Sequence, residues 1–590
     1  MIKADRVSNK KDFVSVVLMI LCLITLADAR ALLAPYILAA CFGVFCLVRN
    51  RSCAPDKKTW KYRLMTAFSV ITAVLITLAN YEMWYRPALP DIRTATFVRI
   101  YKALVIAILM SGSFVCAQNI LRYALYPPEG TARTSEDKPV KRAYLFFIIP
   151  FAIFTGIYLT VFFSCYYPGL LSLDSMDQVA QVFTGQYSNH QPFYHTMIIQ
   201  AFLNAGLAMF SDINMAVAFY SIVQVVIMCA TFSFVLFNMA KMGAPKWGLV
   251  CATLYYALMP FHIMFSYTMW KDVYFGAMVC LLIVFFIRLI KNIGNRYASL
   301  TGFALCGIVM CLIRSNGLFA YIFVFITCII LIRKDKAVLI IMAATIVAAF
   351  VCKHAVLSGL NVVQPDTVES LSIPLQQVAR VVADGGVITD SDREIMEQII
   401  DVDAIKDNYD PIISDPIKNM IRDYGNQDYL TGNKAEYALL YLRVIARNPA
   451  PAVFAWVDST CGYWNSGYNY WVWYWDVESN QYGIERTISS PAVLNFMDEY
   501  LWMFYNNRIL QLFTSIGLFV WIVVFMFARN IATDNRAGLV AIMPILAILV
   551  TLVISSPVFA EFRYMYSMFA SLPALIAVTF TGRSDKTQAQ

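Results

Sequence analysis

The sequence predicts an all-α polytopic membrane protein of about 14 transmembrane helices that carries one mostly α extracytoplasmic domain. Three observations carry that prediction. The 590 residues are 59% hydrophobic and 14% charged, about half the charge of an ordinary soluble domain, so most of the chain cannot face water once folded. Apolar runs long enough to cross a hydrocarbon core of about 30 Å recur along its length. When these runs are counted off alternately, every strongly basic connection falls on one side, as the positive-inside rule requires. Topology thereby accounts for the net charge of +8, and no nucleic-acid footprint remains.

In chain order, residues 1-142 hold four spans, at 13-29, 31-48, 64-83 and 101-121, joined by basic connections. The first follows Lys3, Arg6, Lys10 and Lys11 and reads as a retained helix with its N-terminus in the cytoplasm. Residues 143-353 hold seven more, at 143-164, 213-240, 247-268, 272-290, 299-313, 317-332 and 337-353. A first outer loop, 165-212, interrupts them. For the charge parity to hold, its apolar piece from Phe193 to Phe210 must lie on, or dip into, the outer surface.

Residues 354-507 have a different character. Positions 354-505 hold 21 of the 38 acidic residues and 9 basic ones, which makes this a water-facing domain. Its first half reads as short amphipathic helices broken at Pro411 and Pro416. Its second half includes CGYWNSGYNYWVWYWDVES, an aromatic block that suits either the bilayer interface or stacking against sugar rings. Residues 508-590 add three spans, at 508-528, 538-555 and 564-581, and a short cytoplasmic tail. Most of the 14 cysteines sit inside apolar runs as small hydrophobes; Cys165 and Cys461 are outer, and a bridge between them is open.

On this topology the conspicuous polar residues converge on the outer side: Asp174, Asp177, His190 and His195 after the fifth span, Lys271-Asp272 between the seventh and eighth, Arg314 and Asn316 in the turn LIRSNGLF, and Glu561, Arg563 and Tyr564 before the last span. Ionisable groups at membrane-helix ends are expensive to keep, so their convergence is a functional-site signal. Each has a plainer explanation as well. Asp174 and Asp177 suit the first turn of a helix from Ser175 to Thr184 as caps. The histidines suit loop or interfacial bonding, Lys271-Asp272 a boundary ion pair, and Arg563 a snorkelling arginine held by Glu561. Arg314 interrupts an apolar hairpin and needs a carboxylate or phosphate partner. Asp174, Asp177, His190 and His195 would also make a ligand set for a divalent metal, though nothing in their spacing requires one.

The acidic pair in the first large outer loop, the His-x-Pro segment, the later outer Lys-Asp and the late Arg-Tyr together resemble the GT-C superfamily of integral-membrane glycosyltransferases. YPG with LDSMDQ, NHQPFYHT, MWKD, LIRSNG and SIPLQQVAR are similar to an uncharacterised bacterial polytopic membrane-protein family, a domain of unknown function, near that superfamily. The resemblance spans roughly residues 143 to 581. It implies a glycosyltransferase of the bacterial plasma membrane that moves a sugar from a polyprenyl-phosphate-linked donor to a glycan or lipid acceptor on the extracytoplasmic face. Asp174 or Asp177 would be the base. Lys271, Arg314 and Arg563 would hold the carrier phosphate, and His190, His195, Asp272, Asn316, Glu561 and Tyr564 would line the substrate. The acidic motif here is Asp-x-x-Asp, where the superfamily commonly has Asp-x-Asp or Glu-x-Asp, so either aspartate can be the base. No cofactor is required. The rival classes are a secondary transporter and a non-enzymatic polysaccharide export or assembly protein.

Overall fold

The computed structural model describes residues 2–27, 32–50, 55–85, 95–128, 142–468 and 475–581. Among the described residues there are no strands, only isolated bridges. Among the described residues nine helices are long and apolar enough to cross a membrane, or ten when the pair Lys246–Leu258 and Pro260–Ser266 counts as one bent span. Three shorter apolar helices, Ala34–Arg49, Gly317–Leu331 and Ile516–Ala532, accompany them. The chain is a helical, multi-pass membrane protein. The tip of the aromatic block, Tyr470 to Tyr474, and the tail after Thr581 lie outside the described residues.

Local sequence sets the span boundaries. Thr59, Asp212, Asn295, Asp335, Ser515 and Asn535 each accept a first-turn backbone N–H and so start a helix at Trp60, Ile213, Arg296, Lys336, Ile516 and Arg536. Two expected spans are corrected. The 247-268 run is broken by 53° at Met259, because Pro260 has no N–H to donate back up the helix. The 508-528 run starts as a short 3-10 turn, Leu510–Thr514, and becomes an α-helix only at Ile516, and a separate helix, Pro491–Asn506, precedes it.

The Lys271–Ile290 helix is the most buried candidate span and the axis of the main core. It packs so closely on the last helix, Tyr566–Phe580, that a Cβ at Gly276 would come within 2.7 Å of the Tyr566 ring. A second, separate core lies in the segment of short helices between Val368 and Val444, built from residues such as Leu375, Val378, Met396, Ile417 and Leu440.

Phe193–Phe210 is itself long and apolar enough to span. It folds back from the turn at Ser211 onto the start of the Ile213–Lys241 helix, where Phe202 packs on Phe219 and Tyr220 and a Cβ at Gly206 would come within 2.8 Å of the Ala216 Cβ.

Candidate functional site

The loop after Tyr166 is stitched to two distant segments. Leu170 N–H donates to Tyr267 O and Met269 N–H donates to Leu170 O, both at 2.9 Å. Leu171 N–H donates to Asp476 O at 3.3 Å, and Glu478 N–H donates to Leu171 O at 2.9 Å. These bonds bring Met269–Asp272 alongside the short helix Leu173–Thr184. Trp270 Nε1 then donates to Ser172 Oγ at 2.7 Å, and Ser175 Oγ donates to Met269 O at 2.8 Å.

The helix starts two residues earlier than expected, with Ser172 at its N-cap position and no side-chain cap. The capping account of Asp174 therefore falls. Its carboxylate serves three partners instead. Arg563 Nη1 donates to Asp174 Oδ2 at 2.8 Å, Lys271 Nζ stands 3.6 Å from the same oxygen, and Gln191 Nε2 donates to Oδ1 at 3.0 Å. Gln191 Oε1 in turn accepts from Lys271 Nζ, closing a ring. The Arg563 guanidinium lies 5.0 Å over the Trp270 ring, with Nε 3.7 Å from Glu561 Oε1.

Burial alone would raise the Asp174 carboxyl, but Lys271 and Arg563 outweigh it and hold it at about 2. Glu561 moves the other way: burial raises it, and Arg563 offsets this only in part.

A second pair lies beneath the first. Arg314 Nη1 is 2.7 Å from Asp272 Oδ1, and both side chains are buried. The compensating partner that Arg314 needs is thus a carboxylate. Its guanidinium stacks between Phe275, at 5.4 Å, and Tyr564, at 4.4 Å. Tyr564 also lies 5.4 Å from Arg563, so one ring joins the two charge pairs. Lys353 Nζ donates to Arg314 O at 3.0 Å, and Asn316 Nδ2 donates to Thr551 Oγ1 at 2.8 Å.

Asp177, one turn along from Asp174, is exposed and has no hydrogen bond or ion pair among the described residues. Burial of part of the carboxyl and the charge of Asp174 raise it; His190, itself exposed, lowers it. His195 is fully buried, with Nδ1 2.8 Å from Gln178 Oε1 and Nε2 3.0 Å from Tyr220 OH, so it joins two helices behind the cluster. The four-residue metal set falls: no group of three or more His, Cys, Asp or Glu among the described residues could hold an ion. Cys165 and Cys461 are free thiols.

The structure therefore brings together Asp174, Lys271, Asp272, Arg314, Glu561, Arg563 and Tyr564, with Asp177 and His190 at the rim. Sequence reasoning missed Gln191 and Trp270. Both lie inside the segments NHQPFYHT and MWKD, where neighbouring charged residues and histidines carried the stronger signal.

Among known proteins, the model of a family of unknown function (DUF6020) matches residues 183–590. The match begins beyond Asp174 and Asp177 and takes in the other members of the cluster. No curated protein and no solved structure matches.

Proposed function

We propose that this chain, which belongs to the DUF6020 family of unknown function, is a membrane glycosyltransferase. It moves a sugar from a polyprenyl-phosphate-linked donor to a glycan or lipid acceptor on the extracytoplasmic face. The observation that carries this reading is the juxtaposition of Arg563 and Lys271 on Asp174 with Asp177 unpaired one turn away. A lipid-phosphate transfer needs two things in one place: cations where charge develops on the leaving phosphate, and a carboxylate free to take a proton.

In the proposed reaction Asp177 removes the acceptor hydroxyl proton. The acceptor oxygen bonds the anomeric carbon as its bond to the phosphate oxygen breaks, and the phosphate departs with that electron pair. Arg563 and Lys271 neutralise it, with Asp174 and Gln191 fixing their positions. Arg314, stacked and ion-paired below, is a positioning residue for Tyr564 and Asp272.

The topology belongs to the same proposal. It has fourteen spans, both termini in the cytoplasm, an extracytoplasmic domain over 354-507, and Phe193–Phe210 lying at the outer surface. The last point rests on charge parity: with Phe193–Phe210 counted as a full crossing, the basic connections that follow would fall on the other side.

The test is transfer of label from a panel of radiolabelled polyprenyl-phosphate sugars by the purified chain, with an envelope glycolipid fraction as acceptor. Label is expected to reach the acceptor in the wild type and to be lost in Asp177→Asn. One observation favours the transporter reading, the broken span at Met259–Pro260 beside buried His262. Solute uptake into proteoliposomes without sugar transfer would establish that reading and end the enzymatic one.

A further inference from the structure

At the far end of the Lys271–Ile290 helix, about 30 Å from the Asp174 cluster, the helix ends enclose a groove of about 1270 Å³. Its wall is apolar, from Ile330, Leu331, Phe527, Ile531 and Leu539, and its rim is cationic, from Arg296, Arg333, Lys334 and Arg536, with Trp60 beside them. Two carboxylates, Asp335 and Asp534, share this rim, so the six ionised groups leave a surplus of two positive charges. Asp335 is already used: it accepts from Arg296 Nη2 at 2.7 and 2.8 Å and caps the Lys336–Val351 helix. Arg333 and Lys334 are exposed and have no hydrogen bond or ion pair among the described residues.

The arrangement matches one kind of molecule from end to end. An exposed Ile330 and its neighbours offer a surface for acyl chains, and the surplus cations sit at the end of the groove where a phosphate headgroup would lie. We infer that this groove binds an anionic phospholipid of the leaflet opposite the candidate site, with Arg333 and Lys334 on its phosphate and the Ile330–Phe527–Leu539 wall on its chains. The inference does not rest on the proposed sugar transfer, since it uses other residues at the other end of the helices. Basic grooves between membrane helices select headgroups by charge, and two cations at a membrane surface, each contributing about fivefold, amount to about 30-fold in affinity.

The test is native mass spectrometry of the delipidated full chain in neutral detergent, titrated with phosphatidylglycerol or phosphatidylcholine. Wild type is expected to retain phosphatidylglycerol at least tenfold better than phosphatidylcholine, and R333A/K334A to lose about 30-fold for phosphatidylglycerol alone. K57A/K58A removes the same charge from a nearby exposed connection outside the groove and is expected to change nothing. Equal retention of the two lipids, or an equal loss in both double variants, overturns the proposal, because either result means diffuse surface charge and no site. Arg333 and Lys334 are exposed and unbonded, so the melting temperature of the variants is expected to match wild type. K334R should retain the lipid.

Discussion

Changing each outer aspartate to asparagine separates two roles. The pair is three residues apart on one helix, which puts the Cβ atoms about 5–6 Å and the carboxylates roughly 7 Å apart. Unit charges at that distance interact by about 2.4 kcal/mol at an effective dielectric of 20 and about 0.6 kcal/mol in bulk water. Asp177 is exposed, so solvent screening puts their interaction in the lower half of that range, and its effect is to raise the Asp177 carboxyl. Asp174, held at about 2, stays ionised at any working pH. The stability it contributes is complete above the ordinary carboxylate range and is lost only as pH falls through about 2, so it is flat between pH 5 and 9. An acidic limb in kcat/KM over that range therefore reports Asp177, which must be deprotonated to act. In Asp174→Asn the raising charge is gone, and the limb is expected to move to lower pH while KM rises. In Asp177→Asn kcat should fall by about 10² to 10⁴ with no change in melting. The assay is label transfer from a polyprenyl-phosphate sugar across pH, with thermal unfolding followed by circular dichroism. Full kcat in Asp177→Asn, or an unmoved limb in Asp174→Asn, would refute the division of labour.

Three further outcomes follow from the same geometry. Arg314→Ala leaves Asp272 buried without its partner and should cost about 3–5 kcal/mol, whereas Arg314→Gln combined with Asp272→Asn should cost clearly less than the two single changes added; strict additivity in melting experiments would sink the pair. Gly462→Ala would set a Cβ 2.2 Å from Ala560 Cβ and should cost about 1–3 kcal/mol, lowering kcat through the adjacent Glu561 segment, while Gly432→Ala, with open space around it, should be silent in both readouts. Glu561→Gln tests the raised carboxyl. A raised folded-state pKa costs stability above the ordinary carboxylate range, so the glutamine variant should melt at or above wild type at pH 7 and match it near pH 4; a lower melting temperature at pH 7 would show that the charge stabilises the fold.

That these residues gather at one end of the helices was legible in the sequence, because charge parity needs only the order of apolar runs and basic connections. Which of them touch was not. Arg563 and Asp174 are 389 positions apart, and no local rule pairs them. The span boundaries were legible where a capping side chain stood before an apolar run, as at Asp212 and Asn295. The break at Pro260 was legible too, but the apolar run on both sides of the proline outweighed it. The surroundings of His195 were not legible for a different reason: a histidine beside a polar loop reads as a ligand, and only packing reveals that Gln178 and Tyr220 stand at both ring nitrogens. Gln191 was missed because a neutral amide among histidines carries no charge signal, although it alone bonds both Lys271 and Asp174.

The burial of the cluster also explains why Asp174 is needed at all. Arg314 and Asp272 neutralise each other below the surface, which leaves Lys271 and Arg563 together on Asp174. Two adjacent cations that are mostly out of water would repel, and each would lose hydration. Asp174 compensates one of them directly and, through Gln191, orients the other. Glu561, whose carboxyl is pushed up by burial, supplies the second compensation only weakly. On the proposed reading the site thus stands with about one positive charge in excess, which a sugar phosphodiester, carrying one negative charge, would complete. Asp174 is then the ion that keeps Arg563 and Lys271 in place before the donor arrives, and this duty is incompatible with serving as the base, because a carboxylate held at about 2 has little affinity for a hydroxyl proton. That leaves the proton to Asp177, the member of the pair that the fold leaves exposed and unbonded.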